Sequence, residues 1–180
     1  MKIPLCGFSG TAYRAQHPKW AYAPLSGDGA KRFGGRFNRP GVATLYLSLD
    51  PTTLWMEAQQ GFPFKPQPLT LVAYKVNCAR VADLSDPKAR RAALSSVTDL
   101  ACAWEDIATR GGEPPTWQVA ERLQSQSIDG IRVRSFAPGC SDENQNLVLW
   151  HWDKRGPCSI CAIDDLDRLP KSSASWDDSA

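Results

Sequence analysis

The sequence predicts a single α+β domain, and three observations lead to that prediction. Its 180 residues are the usual size of one domain. A hydrophobic fraction of 42% and a charged fraction of 22% are typical of a folded globular chain, which excludes wholesale disorder. Segments with strand and helix patterns follow one another without a regular βαβ rhythm, which favours an α+β architecture over a doubly wound parallel sheet.

The most unusual segment is residues 26–41, SGDGAKRFGGRFNRPG. Its five glycines and four basic residues do not suit a regular helix or strand, so we predict a long loop. Long loops in compact domains often carry function. Residues 43–49 follow as a strand, because leucines alternate with a polar face formed by Thr44, Tyr46 and Ser48.

Helix and strand signals continue along the chain as far as a polar tail. Asp50 and Pro51 suit the N-cap and the first position of a helix, which Gly61 would end. Further strands are predicted over 69–76, 131–135 and 146–152, further helices over 86–94 and 115–124, and a short terminal element over 163–169. We therefore expect one domain over residues 1–168 and a flexible polar tail over residues 169–180.

The composition argues against several classes of protein. The chain has 21 basic and 19 acidic residues, and this net charge of +2 does not favour direct nucleic-acid contact. No segment approaches the ~18 to 20 apolar residues that span a bilayer, so no membrane contact is expected. The first residues lack the apolar run of a secretory signal, which predicts a cytoplasmic location.

The six cysteines are expected to be free thiols, because a reducing compartment disfavours disulfides. Cys158 and Cys161 form a lone CxxC motif, and the nearest His is His151. A structural zinc site requires four ligands, so we expect no metal and interpret the pair as two thiols near a turn.

The loop sequence Lys31-Arg32-Phe33-Gly34-Gly35-Arg36-Phe37-Asn38 is the strongest local signal for ligand binding. Glycines expose backbone N–H groups, and a guanidinium such as that of Arg36 binds phosphate oxygens in a fork, which suits a diphosphate or another anion. The alternative is a basic solvated loop. In the strand that follows, Tyr46 is expected to form the floor of a cleft, or else to be a half-exposed strand residue.

Four other side chains are candidates for chemistry. Glu57 flanks the inward face of its helix, where a carboxylate is costly unless it is paired or used; the alternative is a partner for a loop arginine. Ser135 lies on the apolar face of its strand and is either a site residue or a satisfied hydroxyl. His17 and His151 are possible bases, although an isolated His is more often structural.

Several motifs together resemble the RES family. They are Tyr13-Arg14-Ala15, Ser26-Gly27-Asp28-Gly29-Ala30, Gly34-Gly35-Arg36-Phe37-Asn38, Leu45-Tyr46-Leu47-Ser48, Glu57, Ser135 and Asn146-Leu147-Val148-Leu149-Trp150. The family is named for an Arg, a Glu and a Ser, which correspond here to Arg14, Glu57 and Ser135. The resemblance covers about residues 8–152. The bulky segment Leu54-Trp55-Met56 replaces small residues usual in the family, and this predicts a reshaped cleft wall.

The resemblance implies a bacterial toxin with an ADP-ribosyltransferase-like fold, in which two abutting sheets enclose an NAD cleft. RES toxins consume NAD⁺ by hydrolysis, by phosphorolysis or by transfer of ADP-ribose to a protein, and ribose-phosphate pyrophosphokinase is one such target class. The antitoxin usually has a helix-turn-helix part and a region that covers the active site. We expect a cognate antitoxin to occlude a cleft that is basic at Arg14, Arg32 and Arg36 and aromatic at Phe33, Phe37 and Tyr46.

The candidate residues suit this chemistry. Arg14 and Arg36 would bind the diphosphate, and Tyr46 would stack on the nicotinamide cation. Glu57 would stabilise the oxocarbenium ion and orient the nucleophile. Ser135 would bind the ribose or the carboxylate, and Asn146 would order the site.

Transfer of ADP-ribose to a protein is the favoured reaction, with an NAD glycohydrolase or phosphorylase as the alternatives from the same cleft. A non-enzymatic nucleotide-binding module is the alternative from another class. It is disfavoured because a module that binds phosphates gains nothing from the Glu57 carboxylate beside its ligand. An RNA-cleaving toxin is disfavoured by the small net charge and by the lack of a convincing His pair.

Overall fold

The computed structural model describes residues 2–59 and 68–174, which form an α+β domain as the sequence predicts. The strands are β1 (Phe8–Gln16), β2 (Leu45–Ser48), β3 (Thr70–Cys78), β4 (Val81–Asp83), β5 (Gly130–Arg134), β6 (Gln145–Leu149) and β7 (Cys158–Ala162). The helices are α1 (Asp28–Phe33), α2 (Pro51–Gln59), α3 (Pro87–Ala92), α4 (Val97–Leu100), α5 (Trp104–Thr109) and α6 (Pro115–Ser125), with a 3-10 turn at Pro18–Trp20.

The strands form one seven-stranded sheet in the order β4-β5-β6-β2-β1-β3-β7. Only the β4–β5 pair is parallel among the described strands. β1 pairs with β3 along its whole length, whereas it meets β2 at a single register pair, Tyr13 with Ser48. The two abutting sheets implied by the family resemblance are therefore two halves of one sheet, joined at that single pair.

Apolar side chains cover both faces of the sheet. Alternate residues of β6 belong to different clusters: Val148 packs in one, and Leu147 and Leu149 pack in the other. The first cluster includes residues of α3, α4 and α6, and the second is built mainly from β2, β3 and β6. Tyr46 packs against the first cluster, so the polar face predicted for β2 is turned toward the protein rather than toward solvent.

Helix starts follow the local signals in the sequence. Asp50 caps α2 through Oδ1, which accepts a hydrogen bond from the Thr53 amide at 2.8 Å, and Pro51 is the first helical residue. Asp86 caps α3 in the same way. The predicted stop at Gly61 and the last part of the tail lie outside the described residues. Across residues 2–59 and 68–174, no helix combines the length and the apolar character needed to span a membrane.

The prediction that residues 26–41 form only a loop is wrong, because the segment contains α1. Gly27 occupies the N-cap and Gly34 the C-cap with φ 76°, so that Gly29 is the one glycine inside the helix. The Ser26 hydroxyl accepts a hydrogen bond from the Asp28 amide at 3.1 Å and supports the first turn.

The predicted terminal element over 163–169 is also absent. The last strand is β7, and residues 163–169 that follow it form turns and irregular backbone. The carboxylate of Asp164 accepts hydrogen bonds from the amides of Arg168 and Leu169, which stabilises a turn in place of a helix or strand.

The expectation of six free thiols is wrong for one pair. Cys78 and Cys158 lie opposite each other in the antiparallel β3–β7 pair, and their sulfur atoms are bonded. The CxxC motif lies within β7, directly after the bends at residues 154–157. Because residues three apart in a strand point to opposite faces, Cys158 is buried and Cys161 is exposed.

Reduction of the Cys78–Cys158 bond is expected to lower the midpoint of thermal unfolding by roughly 5 to 15 °C. A disulfide that closes a loop of this length, with a sequence separation of 80, restricts the unfolded chain. Such bonds contribute about 2–4 kcal/mol, and 1 kcal/mol shifts the midpoint by about 2–4 °C in a domain of this size. Calorimetry with and without a phosphine reductant measures the shift. An intact mass for the untreated protein that corresponds to six free thiols would contradict the prediction.

Candidate active site

A cleft of 680 Å³ opens where β1 and β2 diverge. The strands meet at Tyr13 and Ser48 and separate beyond that pair, so Arg14–His17 of β1 and the adjoining loop face Tyr46–Ser48 of β2 across a gap. Other lining residues come from α1 and the loop after it, from α2, from the start of α5 and from the residues around β5 and β6. The junction of the two halves of the sheet is thus the closed end of the cleft.

The carboxylate of Glu57 lies in this cleft and is held by two side chains. Ser135 Oγ donates a hydrogen bond to Oε1 at 2.6 Å, and Asn146 Nδ2 donates to the same oxygen. Within the part of the chain that the structure describes, no hydrogen bond ends on Oε2. One oxygen therefore fixes the carboxylate, and the other remains for a ligand.

Ser48 completes this network and is a site residue in addition to those predicted from the sequence. Its Oγ donates a hydrogen bond to Asn146 Oδ1 at 2.9 Å, which turns the amide nitrogen of Asn146 toward Glu57. Ser48 and Asn146 are direct partners in the β2–β6 pair. The signal for Ser48 was present in the sequence, because it shares the polar face of β2 with Tyr46.

A second contact holds α2, and with it Glu57, against the β5–β6 connection. Asn144 Nδ2 donates a hydrogen bond to Thr53 Oγ1 at 2.8 Å. The Ser135 hydroxyl also accepts from the Ala137 amide at 3.2 Å, which orients it toward the carboxylate. Contacts from the β5–β6 connection, to Thr53 and to Glu57 itself, and from β6, to Glu57, therefore define the position of the carboxylate.

Arg14 follows Tyr13 on β1 and lines the cleft. Its Nη1 donates hydrogen bonds to the carbonyl oxygens of Pro24 at 3.2 Å and Ser26 at 2.8 Å. Burial lowers the pKa of Arg14, but a guanidinium keeps its charge in proteins. The two carbonyls thus hold a cation beside the junction of β1 and β2.

Arg36 supplies a second cation to the cleft. Its Nη1 donates to the carbonyl oxygens of Leu100 at 3.0 Å and Cys102 at 2.6 Å, and its guanidinium carbon lies 4.8 Å from the ring centroid of Phe136. Burial is the largest influence on the pKa of Arg36 and lowers it, while the charge of Glu57 acts in the opposite direction. Arg36 therefore has an internal role as well as a place in the cleft.

Tyr46 lines the cleft, but its hydroxyl is already committed. The hydroxyl donates to Asn38 Oδ1 at 2.8 Å and accepts from the Phe37 amide at 2.9 Å. Burial raises the pKa of Tyr46 well above its usual value, so the phenol is neutral. Both hydrogen-bonding functions of the hydroxyl are thus used within the protein, and the ring is the part of Tyr46 that could contact a ligand.

Two buried tryptophans hold the backbone of the loop after α1 through hydrogen bonds. Trp117 Nε1 donates to the carbonyl of Gly35 at 2.8 Å, and Trp150 Nε1 donates to the carbonyl of Phe37 at 2.9 Å. These carbonyls flank Arg36 in the chain. The backbone on both sides of Arg36 is therefore fixed before any ligand binds.

Replacing Gly35 with Ala is expected to destabilise the protein by about 1–3 kcal/mol. A Cβ at this position would lie 2.5 Å from the Tyr46 hydroxyl and 2.8 Å from Asn38 Oδ1, so the bond between them must break or move. Gly29→Ala is the matched control, because a Cβ there meets nothing within 4 Å and Ala favours the helix. Chemical denaturation measures both variants, and equal stabilities would contradict the prediction.

The two histidines lie in different surroundings. His17 lines the cleft and caps the 3-10 turn, where its Nδ1 accepts from the Lys19 amide at 3.1 Å. His151 is exposed and lies 3.8 Å from Asp129, outside the cleft lining. No group of three or more His, Cys, Asp and Glu side chains in residues 2–59 and 68–174 is placed to hold a metal.

One residue of the bulky segment before Glu57 lines the cleft. Leu54 is buried and lines the cleft. Trp55 is 43% exposed and does not line it, because it lies on another side of α2. Met56 instead contacts the thiol of Cys140 at 3.3 Å.

Comparisons with known proteins agree with this architecture. The crystal structure of the M. tuberculosis MbcT–MbcA toxin–antitoxin complex contains a similar chain, with a TM-score of 0.55 and 20% sequence identity over 96% of this chain and 89% of that chain. At this identity the likeness concerns the fold. No curated protein matches the sequence. The RES domain family matches residues 11–172, which is most of the sequence, and the chain therefore belongs to the RES domain family.

Proposed function

We propose that this protein is the toxin of a toxin–antitoxin pair and consumes NAD⁺ by transferring ADP-ribose to a cellular protein, such as ribose-phosphate pyrophosphokinase. The main support is the Glu57 carboxylate, which is fixed through Oε1 and lines a cleft that also contains Arg14 and Arg36. Membership of the RES family and the likeness in fold to a toxin–antitoxin component add to it. Such a toxin would act in the cytoplasm, where NAD⁺ is available.

The chemistry begins with the N-glycosidic bond of NAD⁺. As that bond breaks, nicotinamide leaves as a neutral molecule with the bonding electron pair, and positive charge develops on the ribose. A fixed carboxylate stabilises this oxocarbenium character, and Oε2 of Glu57 is the oxygen assigned to that task. The acceptor then bonds to the anomeric carbon and loses its proton.

The other residues of the site would orient the Glu57 carboxylate and bind the substrate. Ser135 and Asn146 donate hydrogen bonds to Oε1 of Glu57 and keep the carboxylate in one orientation. Arg14 and Arg36 would bind the diphosphate as fixed cations. The ring of Tyr46 would stack on the nicotinamide. A cleft volume of 680 Å³ is in the ordinary range for small-molecule sites.

Incubation of the purified protein with NAD⁺, followed by chromatography of nicotinamide, tests the proposal. Nicotinamide release alone is common to all three acceptors, so the second product distinguishes them. Free ADP-ribose indicates water, ADP-ribose 1″-phosphate indicates inorganic phosphate, and mass spectrometry of cellular proteins after expression detects transfer to protein. Binding of NAD⁺ without nicotinamide release, both for the purified protein and after addition of a cell extract that supplies acceptor proteins, would favour the non-enzymatic nucleotide-binding module instead.

A cognate antitoxin is expected to compete with NAD⁺ for the cleft. The mouth of the cleft has an exposed aromatic residue, Phe33, with 72% exposure, and Arg32 lies 5.2 Å from its ring. A partner segment with carboxylates and small apolar side chains would complement this surface and reach Arg14 and Arg36. We therefore propose direct occlusion of the active site by the antitoxin.

Competition makes a quantitative prediction for the pair of ligands. NAD⁺ at ten times its own Kd should raise the apparent Kd of the antitoxin about tenfold in a binding titration. The Glu57→Gln variant keeps NAD⁺ intact during the measurement. An antitoxin affinity that does not change with NAD⁺ would indicate a docking site away from the cleft.

A further inference from the structure

Gln16, the last residue of β1, has an unusual environment for a buried amide. Its side chain is 8% exposed and lines the cleft. Its Nε2 is buried and has no hydrogen-bond partner, and no other buried side-chain nitrogen or oxygen among the described residues shares this condition. A buried donor without a partner lowers the free energy of unfolding, and folded proteins contain few of them.

The other polar side chains of the cleft make this contrast clear. Ser48, Asn146 and Ser135 are joined to Glu57 in one network, and the Tyr46 hydroxyl has two partners. At the closed end of the cleft these side chains therefore have partners within the protein, and the acceptor left over there is Glu57 Oε2. The unpaired Nε2 of Gln16 on the β1 side therefore indicates a position where a bound ligand would supply the hydrogen-bond acceptor.

The position of Gln16 along β1 indicates which part of a ligand it would meet. The closed end of the cleft, at Tyr13 and Ser48, lies beside the Glu57 network. Arg14 is one residue further out along β1, and Gln16 is three residues out, or about 10 Å in an extended strand. A dinucleotide with its reactive bond at Glu57 and its diphosphate at Arg14 would extend toward Gln16 with the adenosine ribose.

We propose that Gln16 is a substrate-binding residue, whose Nε2 donates a hydrogen bond to an oxygen of the adenosine ribose–diphosphate portion of the nucleotide. This inference rests on the proposed function, since it takes NAD⁺ as the ligand. Gln16 and Arg14 are two residues apart in a strand and share a face, so a cation and an amide donor are presented side by side. Phosphate and ribose oxygens accept from both groups. The unpaired Nε2 thus lowers the free energy of unfolding of the ligand-free protein, and a hydrogen bond to the ligand removes this penalty.

The test compares ligand affinity with stability in the same variant. Gln16→Met keeps the length of the side chain and removes the donor. Its Kd for ADP-ribose, measured by isothermal titration calorimetry, is expected to rise about tenfold, while its thermal midpoint stays the same or rises. The matched control is Gln124→Met on α6, where Nε2 donates to the Ala120 carbonyl at 3.3 Å. There the affinity for ADP-ribose should not change.

Two further ligands, ADP and nicotinamide, and a second variant, Gln16→Glu, show which part of the nucleotide Gln16 contacts. ADP contains the diphosphate and the adenosine ribose, so Gln16→Met should weaken ADP and ADP-ribose alike and leave nicotinamide binding unchanged. Gln16→Glu, which has acceptors in place of donors, should weaken ADP-ribose at least as much. Equal ADP-ribose affinities for the wild type and both variants would overturn the role of Gln16 and leave the proposed function standing. A loss of ADP affinity no larger than that of nicotinamide would also overturn it.

Two further results would contradict the inference in different ways. A thermal midpoint several degrees lower in Gln16→Met, with unchanged ADP-ribose affinity in Gln16→Glu, would mean that the amide is a structural partner within the free protein. A wild-type protein that binds neither ADP-ribose nor NAD⁺ would overturn the proposed function, and the role of Gln16 with it.

Discussion

Replacing Glu57 with Gln is expected to reduce nicotinamide release from NAD⁺ by about 10²- to 10³-fold and to abolish toxicity, because the charge that stabilises the oxocarbenium ion is lost. The fold should be preserved. Both hydrogen bonds to the carboxylate, from Ser135 and Asn146, end on the same oxygen, and the carbonyl of a glutamine can accept both of them. Only the second oxygen changes, to an NH₂ group. The variant therefore tests the charge and the free oxygen of Glu57 rather than the architecture around them.

The matched control for this variant is Glu143→Gln, since Glu143 is exposed and lies outside the cleft lining. Its activity should equal that of the wild type. Circular dichroism and thermal melting of both variants establish that they are folded. If purified Glu57→Gln retains nearly wild-type turnover of NAD⁺, then Glu57 does not have the catalytic role proposed for it.

Local sequence patterns predict the strands and helices that have an alternation of apolar and polar residues or a clear capping signal. β2 was recognisable because leucines alternate with polar residues, and α2 because Asp50 and Pro51 provide a cap and a first turn. The sequence of β1, FSGTAYRAQ, does not predict a strand, since it has small and polar residues on both faces and no alternation. Its position comes from pairing with β3 along its whole length, which a short sequence window does not contain.

The candidate site was predictable in its residues but not in its contacts. Glu57 and Ser135 are 78 positions apart, and their hydrogen bond depends on how α2 crosses the sheet. The bonds from Arg36 to Leu100 and Cys102 span 64 and 66 positions, and the Cys78–Cys158 pair spans 80. Such partners are set by sheet register and loop packing. The residue type of Arg36 indicates a guanidinium that can bind phosphate, but it does not indicate the hydrogen bonds to the Leu100 and Cys102 carbonyls that anchor this side chain.

Those anchors change what should be expected of Arg36→Ala. The variant should raise the KM for NAD⁺ roughly 10- to 100-fold, because a charge-assisted contact with the diphosphate is lost. The diphosphate stays charged and lies away from the bond that breaks, so this interaction is the same in the ground state and in the transition state. The kcat at saturating NAD⁺ should therefore change little. Steady-state kinetics over a wide range of NAD⁺ concentration separates the two parameters.

Arg36→Ala also removes the hydrogen bonds to the Leu100 and Cys102 carbonyls, so a loss of stability must be distinguished from a loss of substrate binding. Arg90 provides the comparison, because its Nη1 donates to the Leu84 and Ser85 carbonyls at 2.8 and 2.6 Å away from the cleft. Arg90→Ala should lower the thermal midpoint in the same way and leave the KM for NAD⁺ unchanged. If both variants raise KM equally, the effect is one of stability. If Arg36→Ala lowers kcat with an unchanged KM, the guanidinium acts on the reacting ribose instead of the diphosphate, and the assignment of the two ends of the cleft must be reversed.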